Sequence, residues 1–359
     1  MNLVKRLNSL VELGKRLTPE NEMLQAVVHR TAFHNAWFTE ANQWQAISEI
    51  RTHFLSATKL DNWVRSTDRL SMLRGTDDSS VPRNTDDSSV PRMKTVGLIL
   101  AGNIPLVGFH DILCVYVAGH KTLMKLSDKD PYLMPFILKT LEDIDSETAA
   151  YFEISERAMK GFDAVIATGS NNSARYFDAY FGKYPNIIRK NRNAVGILRG
   201  DENESEFELL GKDIFMYFGL GCRNVSKLYL PRGYNFEPLL ETLHEGFKDL
   251  VLHDKYKNNF DYNFTLLILN KVAYQSNGCV LMRENEAIAS PIACLHYEYY
   301  DDFTSLSEKL KLQSDEIQCV VSREPIEGLP CFGFGEAQKP SLSDYADGVD
   351  TMAFLGRIA

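Results

Sequence analysis

The feature that most constrains the fold of this chain is an alternation that begins after Met93. Short apolar runs, VGLIL (96–100), TLMKL (122–126), DAVIAT (163–168), AVGIL (194–198) and SKLYL (226–230), alternate with longer amphipathic stretches. A strand buried on both faces reads as a continuous apolar run, and the amphipathic stretches are long enough for crossover helices. The pattern predicts parallel sheets covered by helices, an α/β fold. PLVGFHDILCVYVAG supplies one crossover helix and PYLMPFILKTLEDI a second, with Pro131 at its start. Farther on, FEPLLETLHEGFKDL reads as an amphipathic helix and TLLILN (265–270) as a strand.

The alternation falls into two blocks, and its 359-residue chain is long enough for two cores. Residues 94–187 read as a nucleotide-binding α/β domain and 188–329 as a second α/β domain. Residues 330–359 are Gly-rich and then apolar, and are expected to return to the first domain or to meet a neighbouring subunit. Residues 1–93 carry helical periodicity, with Leu3, Leu7, Leu10 and Leu17 on one stripe that core packing explains. Within this region TDDSSVPRN (76–84) is repeated as TDDSSVPRM (85–93). It is polar, contains Pro82 and Pro91, and has no apolar face, so it reads as an exposed loop that tolerates a duplication.

The net charge of −9 argues against a duplex nucleic acid partner, which needs a basic face. No apolar run reaches the roughly 18 residues of a membrane span. The first residues, MNLVKRLNSLVELGKRL, lack the apolar block of a signal peptide, which predicts a cytoplasmic protein with reduced thiols. The six cysteines form no C-x-x-C pair and the eight histidines no H-E-x-x-H, so no metal site is expected.

Four segments carry chemistry. In YFGLGCRNVSKLYL (217–230), Gly219 and Gly221 let backbone approach a ligand beside Cys222. Were Cys222 to begin a helix, the exposed N–H groups would favour a thiolate able to attack a thioester or aldehyde carbonyl. In LAGNIPLVGF (100–109), the Asn103 amide follows a strand, where it can donate to an oxyanion or simply form a turn. In VAGHKTLMKLSDKDP (117–131), a strand ends in Lys125, Ser127, Asp128 and Lys129, which can bracket a ribose and its phosphate. In IATGSNNSARYF (166–177), Gly169 and Ser170 lead from a strand into a helix, a turn whose N–H groups suit a pyrophosphate. No G-x-G-x-x-G is present, so an ordinary Rossmann dehydrogenase is not supported. His244 and His253 flank a helix of the second block and are candidate proton donors.

In their order and spacing, these four segments resemble the aldehyde dehydrogenase superfamily, and its acyl-CoA reductase (LuxC-like fatty acyl reductase) branch in particular. Asn103-Ile104-Pro105 is similar to the family's N-F-P. The stretch Ala118-Gly119-His120 to Lys125-Leu126-Ser127-Asp128 resembles its A-G-N, strand and K-P-x-E. Ala167-Thr168-Gly169-Ser170 resembles F-T-G-S. Gly219-Leu220-Gly221-Cys222 with Ser226-Lys227 resembles G-Q-x-C with a following Ser/Thr-Arg pair. The tail DYADGVDTMAFL also resembles that of the acyl reductase branch.

The resemblance implies an aldehyde dehydrogenase-like pair of α/β domains behind a helical N-terminal region. Cys222 becomes the nucleophile, and Asn103 with the Cys222 backbone N–H the oxyanion hole. Lys125, Ser127 and Asp128 fall at the adenosine ribose, Gly169 and Ser170 at the pyrophosphate. Glu286, in RENEAIASPI (283–292), falls at the nicotinamide ribose, its spacing to Pro291 one residue longer than the family's E-x-F-G-P. Asp128 favours NADH and Lys125 with Lys129 favours NADPH; the reducing direction tilts the expectation to NADPH.

The family's oxidising branch carries E-L-G-G-K, whose glutamate activates water. The matching stretch here, IIRKNRNAVG (187–196), has no carboxylate. A missing base of this kind removes about 10²–10⁴-fold from hydrolysis. The implied activity is therefore reduction of an acyl-CoA or acyl-protein thioester to an aldehyde through a Cys222 acyl-enzyme, in a homo-oligomer. An acyl-phosphate reductase of the same fold, and a cysteine acyltransferase or thioesterase without nicotinamide, are the alternatives.

Overall fold

The computed structural model describes residues 1–67 and 93–358. Apart from Met93, the duplicated TDDSSVPR segment lies outside the described residues. The described chain divides into two compact units, Met1–Lys190 with Ser341–Ala359, and Asn191–Pro340.

The first unit opens with helices α1 (Leu3–Arg16), α2 (Glu22–His34), α3 (Glu40–Glu49) and α4 (Ala57–Ser66). The Asn2 side chain accepts from the Lys5 N–H and caps α1, while Leu10, Leu13 and Leu17 are buried. These side chains join one core with the sheet that follows. That sheet contains β1 (Thr95–Ile99), β2 (Lys121–Lys125), β3 (Phe152–Ile154), β4 (Ala164–Thr168) and β5 (Asn186–Arg189), with helices α5 (Phe109–Val117), α6 (Leu133–Ile144) and α7 (Asn171–Phe181) between them. Its strands are all parallel, in the order β3-β2-β1-β4-β5.

The chain therefore runs outward from β1 through β2 to β3, then crosses to the other side of β1 for β4 and β5. In open α/β sheets ligands bind where the direction reverses, which here is at the carboxyl ends of β1 and β4. The C-terminal segment returns to this unit. Arg189 pairs with Asp111 of α5 and donates to the Thr351 hydroxyl at 3.1 Å, where the last helix, Thr351–Ile358, begins. The Trp63 indole N–H donates to the Tyr345 hydroxyl at 3.0 Å.

The second unit holds β6 (Asn193–Ile197), α8 (Glu204–Phe215), β7 (Val225–Pro231), α9 (Glu237–Phe247), α10 (Asp254–Leu269), β8 (Gln275–Ser276), β9 (Leu281–Glu284), β10 (Cys294–Tyr300), α11 (Phe303–Leu312), β11 (Ile317–Val321) and β12 (Cys331–Phe332). Its sheet runs β12-β11-β6-β7-β10-β9-β8, parallel except for the β8–β9 pair.

One expected strand is absent. TLLILN (265–270) ends helix α10 instead. Tyr256, Asn263 and Leu267 are buried at helical spacing, whereas Leu266, Ile268 and Leu269 face outward. A short apolar run does not by itself separate strand from helix. The strands at this edge of the sheet are β10, β9 and β8 instead.

Candidate active site

In the first unit, three of the expected segments sit at the carboxyl ends of three adjacent strands. Asn103 follows β1, Lys125, Ser127 and Asp128 end or follow β2, and Gly169 with Ser170 follow β4. Two of these segments touch. A Cβ built on Gly102 would stand 2.5 Å from the Ser127 Cβ, so only glycine lets the Asn103 turn lie against the Ser127 turn.

Asp130 ties the same turns from below. Its buried carboxylate accepts from the Leu106 N–H at 3.0 Å, holding Leu106 at φ +56° three residues beyond Asn103. Burial raises the Asp130 carboxyl to about 6. The N-terminal helices hold the outer side. His34 Nε2 donates to the Asp128 carbonyl at 2.7 Å, and the Asn35 amide donates to that of Lys129 at 3.1 Å. Across the switch point, the Ser170 hydroxyl accepts from the Ser173 N–H at 3.2 Å and caps α7. A Cβ on Gly169 would meet Ser173 and Phe177 at 2.8 Å. Two close backbone approaches at a switch point, one of them at a capped helix start, fit the phosphates and ribose of a dinucleotide.

In the second unit, Cys222 does not begin a helix. It lies in a turn closed by the Asn224 N–H on the Gly221 carbonyl at 3.1 Å, and β7 starts at Val225. The expected help from a helix N-terminus is therefore missing, because Asn224 closes a single turn that runs straight into the strand. What the structure supplies is strain. Tyr217, Phe218 and Gly219 have φ of +54°, +59° and +75°. Two non-glycine residues in that region cost about 1–3 kcal/mol each, and such outliers gather at functional sites. Cys222 itself is half-buried. The other five thiols are held protonated by burial: Cys279 and Cys294 rise to about 11, Cys319 to about 12, and Cys114 and Cys331 also shift upward.

One residue near this turn carries no sequence signal. Asp213, fully buried near the end of α8, accepts from the N–H groups of Gly335 at 2.6 Å and Ala337 at 3.1 Å. Burial raises its carboxyl to about 7. The His253 ring packs on Phe218 at 4.4 Å, so of the two candidate histidines it is the one touching the Cys222 approach. His244 pairs instead with the Asn277 carbonyl at 2.7 Å.

The Ser226-Lys227 pair and Glu286 are brought together. Three consecutive carbonyls of the loop after β9 are held by side chains of β7 and β10. Buried Lys227 Nζ donates to Glu286 O at 2.7 Å, His296 Nδ1 to Ala287 O at 2.9 Å and Ser226 Oγ to Ile288 O at 2.7 Å. Nδ1 must carry the proton to donate, which leaves Nε2 to accept from Arg283 Nε at 3.3 Å. Burial lowers the pKa of His296, which keeps that neutral form. Lys227 also donates to Glu298 at 2.8 Å, and Glu298 pairs with Lys309. The Glu286 side chain is exposed and lines a hollow of about 410 Å3 with Arg232, Glu284 and Tyr299.

No carboxylate stands in the 187–196 stretch, and the two just downstream are engaged. Asp201 pairs with Arg323 at 2.7 Å, and Glu202 accepts from the N–H groups of Arg199 at 2.6 Å and Gly200 at 3.0 Å. Among the described residues, no group of three His, Cys, Asp or Glu stands where it could hold a metal ion, and no helix is long and apolar enough to cross a membrane.

Comparison with known proteins places this geometry. Residues 36–189 match the model of the acyl-CoA reductase (LuxC) family. That span falls within the first unit, so Cys222 lies beyond it. A long-chain acyl-protein thioester reductase from Photobacterium leiognathi is 24% identical over 184 residues, which cover 45% of this chain and 37% of that protein. The chain thus matches little more than a third of the length of this curated relative. An oxidoreductase from Marinobacter aquaeolei superposes with a TM-score of 0.66 at 10% identity, over 95% of this chain and 79% of that one. An NAD-dependent benzaldehyde dehydrogenase from Corynebacterium glutamicum gives 0.62 at 12% identity, over 90% and 76%. At these identities the superpositions speak for the fold alone, which is that of aldehyde dehydrogenases. Residues 36–189 are thus similar to the acyl-CoA reductase (LuxC) family, and the chain has the fold of aldehyde dehydrogenases.

Proposed function

We propose that this protein reduces an acyl thioester, carried on coenzyme A or on a protein, to the free aldehyde, with Cys222 as nucleophile. The observation that carries the reading is the Cys222 turn. It combines a half-buried thiol, a run of left-handed backbone and flanking glycines, while every other thiol is kept neutral by burial. The Cys222 thiolate attacks the acyl carbonyl, the donor's C–S bond breaks, and its thiolate leaves and takes up a proton. The acyl group is then a thioester on Sγ. Hydride addition to its carbonyl carbon gives a tetrahedral alkoxide. Collapse of that alkoxide breaks the C–Sγ bond, releases the aldehyde and regenerates the thiolate.

NADPH, or NADH, supplies the hydride when bound. Lys125, Ser127 and Asp128 are proposed to hold its adenosine ribose, Gly169 and Ser170 its pyrophosphate, and Glu286 its nicotinamide ribose. The two glycine approaches and the carbonyl clamp beneath Glu286 support these roles. Lys125 and Lys129 beside the ribose site support NADPH. Asn103 is proposed to donate to the developing oxyanion. Asp201 and Glu202 are both engaged, so neither is poised to drive water onto the acyl-enzyme, which favours reduction over hydrolysis.

The protein is further proposed to act in the cytoplasm as a homo-oligomer. The outward Tyr262, Leu266, Ile268 and Leu269 of α10 support an assembly of copies.

The test is NADPH oxidation over a series of acyl-CoA chain lengths, with Cys222→Ala beside the parent. Chain-length-dependent oxidation, lost in the variant, is expected. Equal oxidation by both proteins would end the assignment.

A further inference from the structure

Helix α8 ends at Phe215, and the left-handed run at 217–219 turns the chain away from the helical path. A helix that stops in this way leaves its last carbonyls without intrahelical donors. One side chain meets them. The Asn224 amide donates to the carbonyls of Asp213 at 3.0 Å, Ile214 at 3.2 Å and Met216 at 2.9 Å. Its oxygen accepts from the Gly221 N–H at 2.7 Å, and its own N–H closes the turn on the Gly221 carbonyl. Asn224 is 2% exposed. Cys222 therefore sits between two points, Gly221 and Asn224, that are fixed to each other and to the end of α8.

We propose that Asn224 is the positioning residue of the nucleophile. It holds the strained 217–221 backbone so that Cys222 is presented in one geometry. The proposal rests on the reading of Cys222 as the nucleophile. The chemistry at position 224 is demanding. An amide offers two N–H groups, shared among three carbonyls, and an acceptor to one N–H, whereas a carboxylate would set oxygen against oxygen and an aliphatic group would leave buried carbonyls unpaired. Asn224 does not touch substrate; it acts through Cys222.

The test uses Asn224→Ser, which can still accept from Gly221 but donates only once, and Asn224→Ala, which does neither. Asn263→Ala is the matched control. Asn263 is a buried asparagine of α10 that donates to the Asn259 and Ile292 carbonyls, away from the Cys222 turn. Each protein is assayed for kcat and KM, for thermal midpoint, and for iodoacetamide modification of Cys222 mapped by peptide mass. Displacing a reacting group by about 1 Å costs about 10²-fold.

We expect kcat to fall in the order Asn, Ser, Ala, with about a 10- to 100-fold loss in Asn224→Ala and KM values within about threefold of the parent. The Cys222 modification rate should shift along the same series. Asn263→Ala should lose a similar thermal margin with kcat and the modification rate unchanged.

The proposal is overturned if Asn224→Ala keeps kcat within about twofold, or if Asn263→Ala loses as much activity at equal loss of stability. Should Asn224→Ala not fold, Asn224→Ser decides by the same criteria. A parent without reductase activity whose Cys222 reactivity still follows the series would retain the positioning role and remove the reductase reading.

Discussion

Lys227→Met should weaken dinucleotide binding without touching the acylation of Cys222. Lys227 is fully buried, donates to the Glu286 carbonyl at 2.7 Å and to Glu298 at 2.8 Å, and stands 4.8 Å from the centre of the Tyr229 ring. Methionine refills the aliphatic stem, so the loss is mainly electrostatic. A charged donor on a buried carbonyl contributes about 1.5–3 kcal/mol. Breaking a fully buried ion pair costs about 3–5 kcal/mol. Glu298 is 22% exposed and keeps Lys309, so its share is smaller. Removing the buried cation also relieves the desolvation that pushes the Lys227 pKa down. A net cost of about 2–3 kcal/mol follows, or a fall in Tm of about 5–10 °C for a unit of this size.

The Ala287 and Ile288 carbonyls keep their holds from His296 and Ser226. The Glu286 loop should therefore loosen rather than detach, and Kd for NADPH should rise about three- to tenfold. Thermal unfolding reads the first quantity and fluorescence titration with NADPH the second. A lowered Tm with unchanged Kd would show that the 286–288 loop does not carry the dinucleotide. An unchanged Tm would refute the clamp itself.

Two further outcomes follow from the geometry. Gly102→Ala would force the Ser127 turn away, because the new Cβ would lie 2.5 Å from the Ser127 Cβ. The KM for NADPH should rise by about tenfold while single-turnover acylation of Cys222 holds; equal effects on both would contradict the division of roles. Asp213 has its carboxyl raised by burial from 3.8 to about 7, so between those values the folded chain holds a proton that the unfolded chain has released. That stabilisation is full below the unfolded value and is lost as the pH rises through about 7. Its ceiling is about 4 kcal/mol, at about 1.36 kcal/mol per pH unit. Stability from denaturant titrations should fall from pH 5 to 8 in the parent and fall less steeply in Asp213→Asn; parallel curves would contradict the assignment.

The sequence made the two sheets legible to unequal degrees. β1, β2, β4, β6 and β7 are buried on both faces, and such strands appear as unbroken apolar runs. β10 reads CLHYEYY and is half-covered over its last residues, so aromatic and polar positions mix and the run disappears. TLLILN misled because its composition suits a buried strand while three of its leucine and isoleucine side chains face outward on a helix.

The candidate site was legible where glycine stands beside a polar group or a thiol, as at Gly102-Asn103, Gly169-Ser170 and Gly221-Cys222. It was not legible at Asn224, Asp213 and Asp130. A polar side chain in sequence looks the same whether it faces water or satisfies a buried backbone, and only the three-dimensional path of α8 and the 333–338 loop makes Asn224 and Asp213 necessary, as that of the turn after β1 does Asp130.

The central claim is that the acyl group passes through one sulfur. It is tested most directly by incubating the protein with an acyl-CoA in the absence of NADPH, followed by intact-mass measurement and peptide mapping. The account predicts a single acyl adduct on Cys222 that is discharged as aldehyde when NADPH is added and is absent in Cys222→Ala. An adduct on another cysteine, or aldehyde formation by Cys222→Ala, would contradict it.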